Sequence, residues 1–499
     1  MKSLKAEEAK VITHEKDVEA ANALIENGNY QQALEQCKEL WQDISSNIIM
    51  KPLRKKIKLL CCISSLEEKL GNYQSSISWL DIAEKLLPTF NEMAQLEKFN
   101  LYIRKASTLI ELRRYSDSDN LLQKAQEISS KIGSISIENV EFLETQGELL
   151  LRKGHYEEAL QRLQQAREIV VNFDNGLLLT SVETRIARAL TAKGRYSEAL
   201  ELFRSILKWR VENLRDGHPD IGDIYYRLGI LYGLVGKYDE AIKNSALSLE
   251  ITKKAFGEAH PKVADIYLAQ GDNYRLMQNF QLALELTNKS LEIRIKIYGI
   301  TNPILSMNYN NLGVIYLNQG MNELALYNFQ KSLNLKIEHY GANHPDIALS
   351  YNNIGLIYSK EGNLDKALQN YHQALRIHQI SRDEDHPYIM SSYTDISWIY
   401  ILQKKLNDAL KYCKKPLRSK KNLADKSRKV LGVAYYYHGY VFELSDNVEG
   451  AQRSFQKSKI MTAQMNLPDS HQFVKALSHL SKTSEMKSAK NQYLDCKFI

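Results

Sequence analysis

The sequence is poor in the residues that interrupt helices. Only 9 prolines and 23 glycines occur among its 499 residues, whereas leucine, alanine, glutamate, lysine and glutamine are common, and these favour helix. Hydrophobic residues make up 44% of the chain and charged residues 25%, which excludes wholesale disorder. The composition therefore indicates a helical protein that is long enough for several domains.

Segments that direct a chain to a membrane are also missing. The first sixteen residues are charged throughout and contain no apolar core, so we expect no signal peptide. No apolar run is long enough for a transmembrane helix. The five cysteines form no CxxC pair and no metal-binding spacing, and without a secretion signal they indicate reduced thiols in a cytoplasmic protein.

A repeat of 42 residues dominates the second half of the chain. His218, His260, Asn302, His344 and His386 are each followed by proline, and each lies 42 residues after the last. Proline suits the first turn of a helix, and the residue before it resists helical geometry. Each of these pairs therefore predicts the start of a helix.

The first half shows the same frame with looser spacing. Its members are "ENGNYQQALEQC", "KLGNYQSSISWL", "ELRRYSDSDNLL", "RKGHYEEALQRL" and "AKGRYSEALELF". About eleven helix-turn-helix repeats result, and they must stack because one repeat alone cannot bury its apolar face. We expect an N-terminal extension (residues 1–13), repeats one to five (14–212), repeats six to eleven (213–466), and a C-terminal capping helix and tail (467–499).

The Gly…Gly-x-Tyr-x-x-Ala pattern resembles the tetratricopeptide repeat (TPR) over about nine-tenths of the chain. The 42-residue period, with His-Pro and "YNNLGVIYLNQG", is more specifically similar to the kinesin light chain subfamily. The heptad coiled coil that binds the motor in that subfamily is not found before these repeats. The resemblance implies an all-α, right-handed TPR superhelix (an α-solenoid) with a cargo-type groove. A HEAT or armadillo solenoid has a similar period, but the Gly/Ala/Tyr frame argues against it.

The resemblance also implies where partners bind, because in this family the first helices of the repeats line a concave groove that clasps extended peptides. The positions that map to the groove are Arg185, Arg188, Arg227, Asn310, Asn311, Asn352, Asn353, Trp398, Tyr436 and Tyr440. Carboxamides can bond a peptide backbone, arginines can select acidic side chains, and aromatic residues anchor interfaces. Alternatively, the asparagines join neighbouring first helices and the tyrosines pack between repeats.

One basic segment carries the positive charge of the chain. Residues 411–429 contain nine basic residues and one acidic residue, a net charge of +8 against +7 for the whole chain. Its basic patch consists of Lys411, Lys414, Lys415, Arg418, Lys420 and Lys421. The patch suits an acidic surface such as a tubulin tail, a phosphorylated partner or an import receptor; alternatively, it is a solvated loop. Pro416 predicts that the second helix of repeat ten ends early, and nucleic acid is not expected, because Tyr412 is the only interleaved aromatic residue.

The last four residues, "CKFI", have the form of a prenylation box. A lipid on Cys496 would bring the protein to a membrane, but upstream lysines are sparse, and this favours a chance cysteine. Neither a P-loop nor a GxGxxG, HExxH or GxSxG motif occurs. The recurring histidines lie one repeat apart, about 10 Å as helices pack, so they cannot share a metal ion.

The sequence therefore predicts a non-enzymatic scaffold or adaptor, without cofactor or metal, that binds extended and in part acidic segments of partner proteins. One alternative is a structural component of a cytoskeletal assembly such as a cilium or microtubule array. Another is a regulator whose superhelix tightens when it binds a peptide. A co-chaperone clamp is disfavoured, because the groove positions contain no lysine.

Overall fold

The computed structural model describes residues 21, 23–25, 29–46, 53–87, 93–132, 138–173, 175–381, 384, 386–418 and 425–463. Within these residues the chain forms 21 α-helices with described bounds, one short 3₁₀ helix and no strand, and residues 21 and 23–25 are helical as well. The all-α prediction is confirmed. The predicted N-terminal extension and the predicted C-terminal capping helix and tail, with Cys496, lie outside the described residues.

The helices alternate between the first and the second helix of each repeat. The first half contains α1 (Tyr30–Ser46), α2 (Leu53–Lys69), α3 (Tyr73–Leu86), α4 (Met93–Glu111), α5 (Tyr115–Ile132), α6 (Glu138–Lys153), α7 (Tyr156–Val171), α8 (Gly176–Lys193) and α9 (Tyr196–Asn213). Helix α1 is the second helix of repeat one, and the pairs α2/α3 to α8/α9 form repeats two to five. Each second helix here begins at the tyrosine that follows the turn.

The second half continues the alternation through repeat eleven. It contains α10 (Pro219–Leu234), α11 (Tyr238–Phe256), α12 (Pro261–Leu276), α13 (Phe280–Tyr298), α14 (Leu305–Asn318), α15 (Asn322–Tyr340), α16 (Pro345–Lys360), α17 (Leu364–Ser381), α18 (Pro387–Leu402), α19 (Leu406–Lys414), the 3₁₀ helix Pro416–Arg418, α20 (Asp425–Leu444) and α21 (Val448–Ala463). The second helices α11, α13 and α15 each have 19 residues, which accounts for the period of 42.

The predicted helix starts are confirmed at four of the five sites, where α10, α12, α16 and α18 begin at the proline itself. The exception is α14, which begins at Leu305, two residues after Pro303. There, the amide of Leu305 bonds the carbonyl of Asn302 at 3.1 Å and the amide of Ser306 bonds that of Pro303 at 3.0 Å. These bonds span three residues, so a tighter turn precedes the α-helix.

The turn between the two helices of a repeat places one residue in the left-handed region. Glycine occupies this position at Gly71, Gly154, Gly194, Gly236, Gly320 and Gly362, with φ between 77° and 86°. Where glycine is absent, Arg113, Gln278, Lys404 and Asp446 adopt φ of 58° to 63° instead. The packing of the two helices therefore imposes the turn even on residues that disfavour it.

Glycines within first helices let the second helix approach closely, as the repeat pattern predicts. A Cβ atom on Gly355 would lie 2.9 Å from the ring of Tyr371 and 3.3 Å from the carbonyl of Ala367. A Cβ atom on Gly439 would lie 2.8 Å from the ring of Phe455. Larger side chains at these positions would push the two helices apart.

The chain divides into two compact units. Among the described residues, the first unit comprises those within 1–192, 197–227 and 247–262, and the second unit those within 193–196, 228–246 and 263–499. In each unit the core consists of apolar clusters between neighbouring helices, such as Phe99 on α4 with Phe142 on α6 in the first unit and Tyr371 on α17 with Ile396 on α18 in the second. The helices that carry the predicted groove residues are thus held by packing on their neighbours.

The second helix of repeat ten is short, as Pro416 predicts. Helix α19 has only nine residues and ends at Lys414, and the buried Pro416 opens the 3₁₀ helix that follows. Proline cannot donate the backbone hydrogen bond that would continue the α-helix. The basic patch therefore begins on the last turn of α19 and continues beyond it.

Candidate binding faces on the first helices

An arginine–carboxylate network spans three first helices of the first unit. It consists of Glu144, Glu148 and Arg152 on α6, Arg185 and Arg188 on α8, and Asp223 and Arg227 on α10. The two Nη atoms of Arg188 bond both carboxylate oxygens of Glu148, at 2.7 and 2.8 Å. Arg185 Nε bonds Glu144 at 3.0 Å. Neighbouring repeats are thus joined by forked, charge-assisted hydrogen bonds.

The centre of this network is buried and ionised. The side chain of Glu148 is 5% exposed, and that of Arg188 is 21% exposed. Burial acts to raise the pKa of Glu148, but Arg188, Arg152 and Arg185 outweigh it and hold the pKa well below its usual range. The pKa of Asp223 is likewise lowered, because Arg227 and other basic groups outweigh burial. Both carboxylates therefore carry their charge at neutral pH.

Arg227 is less completely paired than the other two arginines predicted for the groove. Its Nη2 lies 3.4 Å from Asp223, one helical turn away, and its Nε has no acceptor among the described residues. A guanidinium offers five N–H donors in a planar fork. Arg227 therefore retains donors for a further acidic group.

The carboxylates of the network escaped the sequence analysis, which identified only its arginines. A usable signal was present, because Glu144 and Arg185 are 41 residues apart and Glu148 and Arg188 are 40 residues apart. Both separations equal about one repeat. Opposite charges at that spacing on first helices predict an ion pair between neighbouring repeats.

Asparagines of neighbouring first helices meet in the second unit. Asn353 Nδ2 on α16 donates to Asn310 Oδ1 on α14 at 2.8 Å, and Asn353 is only 6% exposed. This pair plays the structural role that the sequence analysis left open. Asn311 and Asn352 are partly exposed, and Asn352 Oδ1 has no hydrogen-bond donor among the described residues.

The predicted aromatic residues lie on α18 and α20 of the second unit. The ring of Trp398 stacks on that of Tyr437 at 5.2 Å with an interplanar angle of 18°. Tyr436 is buried, and its ring lies 5.4 Å from that of Phe455 on the second helix α21. Trp398 and Tyr440 remain partly exposed, whereas Tyr436 faces the interior of repeat eleven.

The recurring histidines cap helices. His218, His260 and His386 each accept, through Nδ1, a hydrogen bond of 3.2 Å from the backbone amide two residues on. Asn302 accepts the same bond at 3.0 Å from Ile304. This capping role was not predicted. A signal for it was the asparagine that replaces histidine at one site, because both side chains can accept a hydrogen bond from a backbone amide. Among the described residues no group of three or more histidine, cysteine, aspartate or glutamate side chains could hold a metal ion.

The basic patch is only partly described. Lys411, Lys414 and Arg418 are exposed, and Lys415 Nζ lies 4.4 Å from the ring centroid of Tyr393. Lys420 and Lys421 lie outside the described residues. That this patch binds tubulin or another acidic surface stays a prediction.

Comparison with known proteins identifies the repeats. The tetratricopeptide repeat family model matches five overlapping segments, residues 177–253, 220–296, 262–338, 303–379 and 346–421. The chain belongs to the tetratricopeptide repeat family. TPR proteins typically act as protein-interaction scaffolds or peptide-binding regulators rather than as enzymes. None of the helices in the described part of the chain is long and apolar enough to cross a bilayer.

Solved structures with the same fold include two at a TM-score of 0.52. One is a Rap protein complexed with competence and sporulation factor, at 14% identity over 82% of this chain and 99% of that chain. The other is the apo form of the quorum sensor NprR from B. thuringiensis, at 15% identity over 74% of this chain and 99% of that chain. At such identities the likeness shows the fold alone, an all-α TPR solenoid. No curated protein sequence matches this TPR chain.

Proposed function

We propose that this TPR protein is a scaffold that binds an extended segment of a partner protein across its first helices. The observation that carries the proposal is the register of the asparagines in the second unit. The Asn310–Asn353 hydrogen bond joins neighbouring first helices. The residues beside it, Asn311 and Asn352, are partly exposed, although Oδ1 of Asn352 is itself buried. A carboxamide both donates and accepts, as a peptide backbone requires.

Asn311 and Asn352 are the proposed contacts to the main chain of the partner. Asn310 and Asn353 already satisfy each other, so a ligand that bonded them would first have to break an existing hydrogen bond. The acceptor Oδ1 of Asn352 has no donor among the described residues, and a peptide N–H would satisfy it after a small rotation of the side chain. Trp398, also partly exposed, supplies an aromatic surface on α18 of the same unit.

Arg227 is the proposed contact to an acidic side chain of a partner segment in the first unit. Arg185 and Arg188 are occupied by Glu144 and Glu148, whereas the one bond from Arg227 to Asp223 is long, at 3.4 Å. The Arg227 side chain is 26% exposed, so an incoming carboxylate can approach the end of its guanidinium group, whereas Nε is itself buried. The proposed preference for acidic partner segments therefore depends on Arg227 alone among the three arginines predicted for the groove.

The main-chain contacts can be tested with peptides selected from a library of random, unstructured sequences. Their affinity for the intact protein is then measured by fluorescence anisotropy. Replacing Asn311 and Asn352 together by alanine is expected to weaken binding about tenfold, since each lost hydrogen bond costs about 0.5–1.5 kcal/mol. The matched control is Asn370→Ala on the second helix α17, whose partly exposed side chain bonds the carbonyl of Lys366. Unchanged affinity in the double variant would remove these asparagines from the site.

The acidic contact needs a separate measurement. Arg227→Gln is expected to abolish the preference of selected peptides for aspartate or glutamate over asparagine or glutamine. Arg162→Gln, an exposed arginine on the second helix α7, serves as the control for net charge. If both variants lower the affinity of acidic peptides equally, general attraction rather than a contact at Arg227 explains the preference.

A second candidate, a regulator that changes shape on binding a peptide, is favoured by a contact within the first unit. Tyr30 stacks on Phe256 at 5.7 Å, and His260 Nε2 lies 3.2 Å from the carbonyl oxygen of Lys69. These groups join repeats one and two to the end of α11 and the loop after it. Lys69 and His260 are 191 residues apart in sequence. A peptide that opens or tightens the first unit should change hydrogen exchange at residues 256–262. Identical hydrogen exchange with and without the selected peptide would exclude the regulator and leave the scaffold as the proposed function.

A further inference from the structure

Two cysteines face each other between α1 and α2 in the first unit. The Sγ atoms of Cys37 and Cys62 are 4.0 Å apart. Cys37 is 3% exposed, whereas Cys62 is partly exposed. A disulfide needs an Sγ–Sγ distance of about 2 Å, so side-chain rotation with a small shift of the helices would bring the two sulfurs to bonding distance. The pair lies on two consecutive helices of the chain and belongs to neighbouring repeats.

The other described cysteines lack such a neighbour. Cys61, the preceding residue on α2, packs instead against the cluster around Leu80 and Leu101. Cys413 is buried on α19 and donates its thiol to the carbonyl of Leu410 at 3.4 Å. On α2, Cys62 therefore faces the thiol of Cys37, whereas Cys61 faces aliphatic side chains.

The two thiols of the pair differ in how readily they lose a proton. A hydrogen bond from Cys37 stabilises the thiolate of Cys62, so the pKa of Cys62 falls below its usual range despite burial, with help from Arg104. The same hydrogen bond, together with burial, raises the pKa of Cys37. Burial raises the pKa of Cys61. The thiolate therefore forms at the more exposed of the paired sulfurs, where an attacking reagent can reach it.

We propose that Cys62 is a redox-reactive thiol and that Cys37 resolves it, so that the two form a reversible disulfide between α1 and α2. The oxidant is a low-molecular-weight disulfide such as oxidised glutathione. The Cys62 thiolate attacks one glutathione sulfur, which forms a mixed disulfide and expels one glutathione thiolate. The Cys37 thiol then releases its proton to solvent, its sulfur attacks Cys62 Sγ, and the second glutathione leaves. Two protein thiols are oxidised while one glutathione disulfide is reduced to two thiols.

The crosslink would stiffen the contact between repeat one and the loop after α11. Cys37 and Cys62 belong to the same apolar cluster as Tyr30 and Phe256, whose rings stack. Fixing α1 to α2 limits the motion of one side of that stack. Oxidation is therefore expected to slow hydrogen exchange in α1 and α2 more than about tenfold, because the crosslink restricts the separation of these two helices.

The test uses the full chain in the Cys61→Ser background, because Cys61 and Cys62 fall within one tryptic peptide. The protein is incubated with oxidised glutathione near neutral pH, the remaining thiols are alkylated, and the peptides are analysed by mass spectrometry. The expected product is a Cys37–Cys62 crosslink that reductant reverses. Cys37→Ser in the same background is expected to stop at the glutathione adduct of Cys62. Cys62→Ser is expected to leave Cys37 unmodified.

A measurement without substitutions keeps the test independent of how these variants fold. Limited alkylation of the unmodified protein is expected to label Cys62 at least about tenfold faster than Cys61 or Cys413, because the pKa of Cys62 is lowered whereas burial raises those of Cys61 and Cys413. Equal labelling of Cys61 and Cys62 would overturn the assignment of the reactive thiol. A protein that stays folded in oxidised glutathione without forming the Cys37–Cys62 crosslink would overturn the disulfide.

Discussion

Replacing Gly71 by alanine is expected to weaken the contact that joins repeats one and two to the loop after α11. Gly71 occupies the turn between α2 and α3 with φ of +82°. A Cβ atom there would lie 2.5 Å from Cγ and 2.8 Å from Cδ of Pro261. The proline ring is rigid and forms the first turn of α12, so it cannot rotate away as a flexible side chain would.

The cost of the substitution has two parts that a matched control separates. Alanine in the left-handed region costs about 1–2 kcal/mol, and overpacking against Pro261 adds about 1–3 kcal/mol. Gly362 occupies the corresponding turn of repeat nine, also before an asparagine, with φ of +80° and no atom within 4 Å of its would-be Cβ. Gly362→Ala therefore carries the backbone cost alone.

Hydrogen exchange followed by mass spectrometry distinguishes the two effects. Gly71→Ala is expected to accelerate exchange at residues 256–262 by about fivefold to a hundredfold, the factor that 1–3 kcal/mol represents. Gly362→Ala is expected to affect only its own repeat. If Gly71→Ala raises exchange around α2 and α3 but leaves residues 256–262 unchanged, the contact with Pro261 does not stabilise the loop and the reasoning fails.

Three further substitutions test other features of the repeats. Glu148→Gln is expected to destabilise repeats four and five by about 3–5 kcal/mol, because it leaves buried arginines uncompensated. Since the pKa of Glu148 is lowered in the fold, the wild type should lose this advantage as pH falls below about 4. Chemical denaturation at several pH values measures this loss, and a variant that is as sensitive to acid as the wild type would contradict the prediction. Gln278→Gly should stabilise repeat seven by about 0.5–1 kcal/mol, because glycine adopts φ of +63° without a Cβ clash; a lower unfolding midpoint would contradict this. Burial lowers the pKa of His218, so its stabilising cap is fully present above about pH 6.5 and is lost as pH falls through the lowered pKa. His218→Asn should keep the cap and therefore reduce the change in the free energy of unfolding between pH 5 and 7. If that pH dependence is unchanged, His218 does not cause it.

The fold could be predicted almost completely because it depends on short-range patterns that recur. His-Pro pairs mark helix starts, turn glycines mark helix ends, and alanines mark the close approach of two helices, each for a local steric reason. The same logic identified the early end of α19 at Pro416. The left-handed turns at Arg113 and Gln278 could not be read from residue type, because there the packing of two helices overrides the local preference.

The candidate binding face was harder to predict because it depends on pairs of residues in different repeats. Arg185 and Arg188 were predicted to line a groove, but their partners, Glu144 and Glu148, become neighbours only when the repeats stack. Tyr436 shows the complementary difficulty. One position on a first helix decides whether a tyrosine faces a ligand or packs on Phe455, and the sequence does not give the rotation of a helix to that accuracy.

The chemistry that a TPR face offers to a ligand is what remains after neighbouring repeats have bonded to each other. Because neighbouring first helices are about one repeat apart in sequence, complementary side chains 40 to 43 residues apart bond to each other, as Glu148 does with Arg188 and Asn310 does with Asn353. These pairs stabilise the stack and are costly for a ligand to open, since a buried partner would be left without its hydrogen bond. Among the described residues, Arg227 keeps only a long bond to Asp223 on its own helix, and Asn311 is partly exposed. We therefore propose that these two residues are the ones with which a partner bonds.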